Sequence, residues 1–200
     1  REGAMKRALA DRPQPKECVL NNGEIVSFRL LTGEEEEAVR AFFHDIPDHE
    51  VEGFREQVPD PRTVGRWIKA LDYGRVLPLA AWSTERTRIV GLASLNRMVG
   101  AYRHVAEVYV VVGTDHRKLG LGSSLIKELV EIATRRGLYF LKAKVLTENQ
   151  LALRAFRQLG FEVKATLEDY FMTMDGKTKD VALMLKRLRF DMEEDFFYVF

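Results

Sequence analysis

The sequence predicts a mixed α/β fold: one central, mostly antiparallel sheet of about six or seven strands, with helices on both faces. Three observations carry it. Between 76 and 112, short apolar segments follow one another through short polar turns, the pattern of antiparallel neighbours. A long segment of 3.6-residue periodicity, 119–136, stands between two apolar strands, 105–112 and 139–146. A crossover of that kind needs those two strands parallel. The chain has 200 residues, 46% of them hydrophobic and 30% charged, enough for one core without disulfide or metal staples.

The elements follow in order. Residues 1–17 are polar, hold Pro13 and Pro15, and read as a flexible lead-in. Cys18–Leu20 and Glu24–Leu31 flank Asn21-Asn22-Gly23 and read as a hairpin. A helix is expected over Gly33–His44, with Thr32 and Glu35 as a capping box and Ala38, Val39, Phe42 and Phe43 as its buried face. The acids Glu34–Glu37 complement the dipole of its first turn. Residues 45–60 hold Pro47, Gly53 and Pro59 and read as a loop or a short irregular helix. Pro61–Leu71 reads as a second helix, with Asp60 as N-cap and Trp67, Ile68 and Leu71 inward.

Three strands come next, Val76–Trp82, Ile89–Leu95 and Val105–Val112. The long helix Leu119–Arg136 buries Leu121, Leu125, Ile126, Leu129, Val130 and Ala133, and Gly137 stops it. Tyr139–Leu146 is a strand. Glu148–Leu159 is a helix with a Thr147/Gln150 capping box. Phe161–Leu167 and Val181–Leu185 close the sheet, with a turn at Asp175-Gly176. One domain over 18–188 results, followed by an acidic, aromatic tail, 189–200. Its five aromatics are expected to pack on the domain or on a second subunit, which makes a homodimer compatible with the sequence.

Composition excludes several classes. With 31 basic and 30 acidic residues there is no basic field for nucleic acid. The single cysteine, Cys18, forms no internal disulfide. No apolar run approaches the ~20 residues that span a bilayer, and no signal-peptide core opens the chain. A cytoplasmic protein is the expectation. His44, His49, His104 and His116 show no metal-ligand spacing, so no metal is expected.

The most informative stretch is Val108–Ser124, VYVVVGTDHRKLGLGSS. An apolar strand enters a loop that opens a helix at Arg117-Lys118-Leu119-Gly120-Leu121-Gly122. Glycines at a helix N-terminus let backbone N–H groups approach a phosphate, and Arg117 and Lys118 add positive charge. A dinucleotide-binding fingerprint would need glycine at 125, where Leu125 stands. A P-loop would need Lys-Ser/Thr directly after its last glycine; Leu121-Gly122 follow Gly120 and Ser123-Ser124 follow Gly122. What remains is Arg-x-x-Gly-x-Gly.

That segment resembles the Q/R-x-x-G-x-G/A motif of the GNAT acyltransferases, which bind the pyrophosphate of acetyl-CoA. Asn149-Gln-Leu-Ala152-Leu-Arg-Ala-Phe156-Arg-Gln-Leu-Gly160-Phe161 resembles the family's second signature. The resemblance covers about residues 24–186. It implies the GNAT fold, acetyl-CoA as donor, and a donor site at Val110, Val111, Val112, Arg117, Lys118, Leu119, Gly120, Leu121, Gly122 and Ser123. It also implies Asn149 beside the pantetheine arm, and the position of Phe156 near the thioester sulfur. The family often carries Tyr there, placed to protonate the leaving thiolate. Phe156 cannot, so the thiolate leaves without a protein acid, or another residue or water serves.

A lysine ammonium is about 4.6 kcal/mol from its neutral, nucleophilic form at pH 7, so a general base is wanted. Glu107 is the one charged side chain in its apolar strand and shares a face with Tyr109 and Val111. In lysine-modifying members of the family a Glu on this strand is commonly the base. The stretch around Glu107 and the early NGEIVSFRLLT segment resemble bacterial Pat-type protein lysine acetyltransferases. The expected function is therefore acetyl transfer to an amine, foremost a protein lysine. A small amine, or a non-catalytic acyl-CoA-binding module, remains the alternative. Cys18 is remote from the motifs, and Ser123 and Ser124 suit a helix start better than a nucleophile.

Overall fold

The computed structural model describes residues 15–47, 71–85 and 87–188. Eight strands form one sheet in the order β1-β2-β3-β4-β5-β6-β8-β7. They are β1 Lys16–Val19, β2 Ile25–Leu30, β3 Val76–Trp82, β4 Ile89–Arg97, β5 Val105–Val112, β6 Phe140–Leu146, β7 Glu162–Met172 and β8 Thr178–Arg187. The described α-helices are α1 Glu36–His44, α2 Leu121–Arg135 and α3 Gln150–Gln158. The only parallel junction among these strands is β5 with β6, joined through α2 as the crossover requires. The sheet has one strand more than the expected upper figure because the short hairpin arm pairs fully, from Lys16↔Phe28 to Val19↔Ile25.

Alternation along the strands sorts the core into two layers. On one face α2 and α3 press Leu121, Leu125, Leu129, Leu153 and Phe156 against Val26, Phe28, Leu79, Leu95, Leu141 and Met184. On the other, α1 sets Val39, Phe42 and Phe43 against Leu31, Ala80, Trp82 and Leu92. Leu125 and Leu129 are fully buried. Truncating either to Ala would cost about 2–5 kcal/mol.

Several boundaries differ from expectation, each for a local reason. α1 begins at Glu36, three residues later than Gly33. The Glu35 carboxylate turns back to accept from the Thr32 N–H and hydroxyl, both at 2.7 Å, while the Thr32 hydroxyl accepts from the Glu34 N–H. Only one half of the expected capping box forms, and it precedes the helix. At α3 the cap is Asn149, whose side chain accepts from the Ala152 N–H. Thr147 is not the cap; its carbonyl accepts from the Gln150 side-chain amide. β4 runs on through Asn96 and Arg97, residues read as turn, because they pair with Glu107 and Ala106. β7 and β8 are longer than expected and meet at the Asp175-Gly176 turn, where the Thr173 N–H donates to the Lys177 carbonyl. The lead-in up to 14, the loop beyond 47, the second helix up to residue 70 and the tail 189–200 lie outside the described residues. Leu71 itself is not helical.

Candidate active site

The site begins where β5 and β6 part. Their pairing ends at Glu107↔Lys142. The Met98 N–H donates to the Val105 carbonyl and the Gly113 N–H to the Val90 carbonyl, so the odd-numbered residues of β5 turn their backbone groups toward β4. The even-numbered ones therefore face the other edge. Past the Glu107↔Lys142 pair, whose parallel bridge engages the Val108 N–H, the Val108 C=O, the Val110 N–H and C=O and the Val112 N–H face a gap that no described strand fills. Val110 and Val112 are half-buried on the α2 face, Val111 on the α1 face. An open strand edge of this kind can take an extended ligand as an added strand.

The far end of the gap is closed by the loop 113–120. Arg117 Nε donates to the Val112 carbonyl at 3.3 Å, which holds the guanidinium at the end of β5. Lys118 is exposed and has φ 60°, a left-handed conformation uncommon outside glycine. Gly120, φ 85°, is the N-cap of α2. The first bond of α2 runs from the Ser124 N–H to the Gly120 carbonyl. The Leu121, Gly122 and Ser123 N–H groups therefore lie at the positive end of a 15-residue helix. Leu119 is half-buried and Leu121 buried in the core, so both contribute backbone to the loop.

This loop is braced by a contact that sequence reading missed. The Asn21 N–H donates to the Leu119 carbonyl at 3.0 Å. His116, buried, places Nε2 at 3.2 Å from a Glu24 oxygen. The β1–β2 turn thus holds the loop from outside. The Asn-Asn-Gly-Glu string signalled a turn, and nothing local showed where it docks.

Asn149 sits at the start of α3. Its Oδ1 is engaged by the cap at 3.1 Å, which leaves the amide NH2 pointing elsewhere on an exposed residue. Phe156 is 6% exposed and meets Phe161 edge-to-face, centroids 4.9 Å apart. It is a core residue on the α2/α3 side of the sheet.

Glu107 lies at the vertex. Its side chain is 12% exposed, with Lys142 Nζ 3.1 Å from Oε2 and Lys144 Nζ 3.6 Å from Oε1. On β4 the facing residue is Asn96, whose amide donates to the Ser94 hydroxyl at 2.9 Å. Glu107 Oε1 and Asn96 Oδ1 are buried, and neither accepts a hydrogen bond from a described residue. Two neighbouring acceptors without donors form a polar recess that an N–H group or a water would satisfy. Sequence reading found Glu107 and missed Asn96, Lys142 and Lys144. The alternation of Lys142 and Lys144 around Ala143 was the available signal, since it sets both lysines on one face of β6. Among the described residues no group of His, Cys, Asp and Glu side chains could hold a metal ion. No helix among them is long and apolar enough to cross a membrane.

The chain belongs to the acetyltransferase (GNAT) family, which it matches over residues 34–161. It is 31% identical over 108 residues to an L-methionine sulfoximine/L-methionine sulfone acetyltransferase of Salmonella typhimurium, 53% of this chain and 63% of that protein. The chain spans 30% to 63% of the length of several of the curated relatives it matches and 99% of another. Among solved structures, the ribosomal-protein-alanine N-acetyltransferase of Brucella melitensis superposes with a TM-score of 0.69 at 26% identity, covering 80% of this chain and 99% of that one. The GNAT domain of S. lividans PAT superposes with a TM-score of 0.69 at 22% identity over 87% of this chain and 97% of its own, a likeness of fold.

Proposed function

We propose that the protein is an acetyl-CoA-dependent N-acetyltransferase that passes the acetyl group directly to an amine, through one catalytic domain over 18–188. The observation that carries this is the half-open edge of β5, with a phosphate-suited loop at one end and a carboxylate at the other. The pantetheine arm lies along Val110–Val112 as an added strand. The pyrophosphate sits on the first-turn N–H groups of α2, with Arg117 and Lys118 beside it and Leu119, Gly120, Gly122 and Ser123 shaping the approach. The Asn149 amide NH2 donates to the arm. A Val N–H of the open edge polarises the thioester carbonyl. Phe156 packs beneath the reacting end and supplies no proton, so the thiolate takes its proton from the attacking nitrogen, directly or through water.

Glu107 acts as general base, directly or through one water in the recess with Asn96. The amine nitrogen attacks the thioester carbon, the C–N bond forms, the C–S bond breaks, and no covalent enzyme intermediate is needed. The acceptor is a small amine, the reading that the named Salmonella relative supports. A protein lysine is the second reading, supported by the Pat-like stretch around Glu107.

The test is acetyl-CoA-dependent thiol release with mass detection of product, for wild type and Glu107→Gln, against amino acids, amino-acid analogues, polyamines and a lysine-bearing protein. Loss of about 10²–10⁴ in kcat in the variant, with acetyl-CoA binding unchanged, is the expected result. Unchanged turnover would remove Glu107 from the mechanism. Acetyl-CoA binding without turnover of any acceptor would favour a binding module.

A further inference from the structure

We propose that the protein acetylates itself on β6, with Lys144 as the acceptor. The inference rests on the reading of Glu107 as base and of the β5–β6 gap as the thioester site. Two amines of the chain lie against that base. Lys142 is level with Glu107 in the last β5–β6 pair, and its Nζ holds Oε2 at 3.1 Å. Lys144 is two residues further, beyond that pair, where β6 has left β5 and is held from its far side by Leu183 of β8. Residues two apart on a strand share a face, so the Lys144 side chain lies on the Glu107 face of the open stretch. Its Nζ is 3.6 Å from Oε1, the carboxylate oxygen that accepts no hydrogen bond from a described residue. The Tyr170 ring, 6.0 Å from Nζ, forms an aromatic wall behind it. Lys142 thus serves as the standing counter-ion, and Lys144 stands where an acceptor amine would stand.

The step balances without another reagent. One Lys144 ammonium proton passes to Glu107 Oε1 and on to solvent. The freed lone pair attacks the thioester carbonyl carbon. The C–N bond forms, the C–S bond breaks, and the departing thiolate takes the second nitrogen proton. The products are Nε-acetyl-Lys144, free CoA and one proton. The acetylated side chain carries no charge, so its ion pair with Glu107 is lost while Lys142 stays in place. The same carboxylate then faces an outside amine with one competitor fewer.

The experiment incubates the full chain with isotope-labelled acetyl-CoA and no acceptor, then quantifies labelled lysines by peptide mass spectrometry. Lys127, exposed on α2, reports chemical acetylation. The expected result is Lys144 labelled at least about tenfold faster than Lys127, at a rate independent of protein concentration, and lost in Glu107→Gln. Lys144→Arg, checked for folding by its melting curve, should lose the label and keep acetyl-CoA binding. Turnover of an outside amine with Lys144 unlabelled would overturn this proposal and leave the enzyme reading intact. Labelling of Lys144 at the Lys127 rate, unaffected by Glu107→Gln, would overturn it as chemical acetylation. Bound acetyl-CoA with neither Lys144 nor any outside amine acetylated would overturn both.

Discussion

Glu24 and His116, 92 residues apart, meet at 3.2 Å and tie the turn of the first hairpin to the loop at the end of the open β5 edge. Beside them the Asn21 N–H holds the Leu119 carbonyl. In the proposed function this loop presents N–H groups to a pyrophosphate, and it gains from being held before the ligand arrives. Glu24→Ala should therefore raise KM for acetyl-CoA about three- to tenfold, in line with about 1 kcal/mol for the lost contact. The kcat should move little, since Glu107 lies at the opposite end of β5. Initial rates across an acetyl-CoA series check this, and an equal fall in kcat would place Glu24 in another role.

The two loop glycines are needed for different reasons. Gly120 has φ 85°, and an added Cβ would stand 3.4 Å from the Asn21 side chain. Gly120→Ala should lower stability by about 1–2 kcal/mol. At Gly122 the backbone is helical and a Cβ would meet Val112 Cγ2 at an ordinary 3.5 Å. Folding does not require glycine there, and Ala would even suit the helix better. Gly122→Ala should therefore keep or raise the melting temperature while weakening acetyl-CoA binding, because its methyl enters the space beside Val112. Thermal melts with calorimetric titration separate the two cases.

Asn149 has two ends with two tasks. Its Oδ1 caps α3 through the Ala152 N–H. Its NH2 is the proposed donor to the pantetheine arm. Asn149→Asp keeps a capping oxygen and removes the donor, so stability should hold within a few tenths of a kcal/mol while acetyl-CoA affinity falls. Asn149→Ala should lose both, with about 1 kcal/mol of stability. Equal affinity in wild type and the Asp variant would confine Asn149 to capping.

What the sequence revealed and what it hid follow from the range of the interactions. The strand–helix–strand unit around 105–146 was legible because it is local: apolar alternation, two glycines and a 3.6-residue period lie within one stretch. The position of Glu107 was legible for the same reason, since it interrupts an apolar run. Its surroundings were not. Asn96 reaches Glu107 only because β4 outlasts its apolar segment, and the lysines reach it only through the parallel pairing with β6. The Glu24–His116 brace depends on where a turn docks, which no local pattern encodes. At α3, Thr147 and Asn149 were both credible caps by residue type, and the geometry of the preceding strand end decided for Asn149.

Lys16 gives a prediction for pH. Its ammonium bonds Glu128 at 2.6 Å and Glu131 at 2.9 Å, joining β1 to α2. The hydrogen bond to Glu128, then that to Glu131, holds the lysine pKa above its ordinary 10.5. A pKa raised by folding stabilises fully below the unfolded value, and that contribution disappears as pH rises through the folded one. Lys16 is half-exposed, so solvent screening keeps the pair itself to about 1 kcal/mol or less. Glu128, however, is only 4% exposed, with Arg135 at 3.7 Å as its other cation. Lys16→Met leaves that carboxylate poorly matched in the core wall, an arrangement costlier than the lost pair alone. The variant should melt lower than wild type by a margin that stays constant from about pH 7 to 9 and narrows above about pH 10.5, where the lysine of the unfolded chain gives up its proton while the folded one still holds it. The double variant Lys16→Met with Glu128→Gln should recover part of the loss at neutral pH. Melting curves across that pH range, on all three proteins, decide it: a margin that stays unchanged to pH 11 would mean that the lysine stem, packed along α2, stabilises the strand rather than its charge.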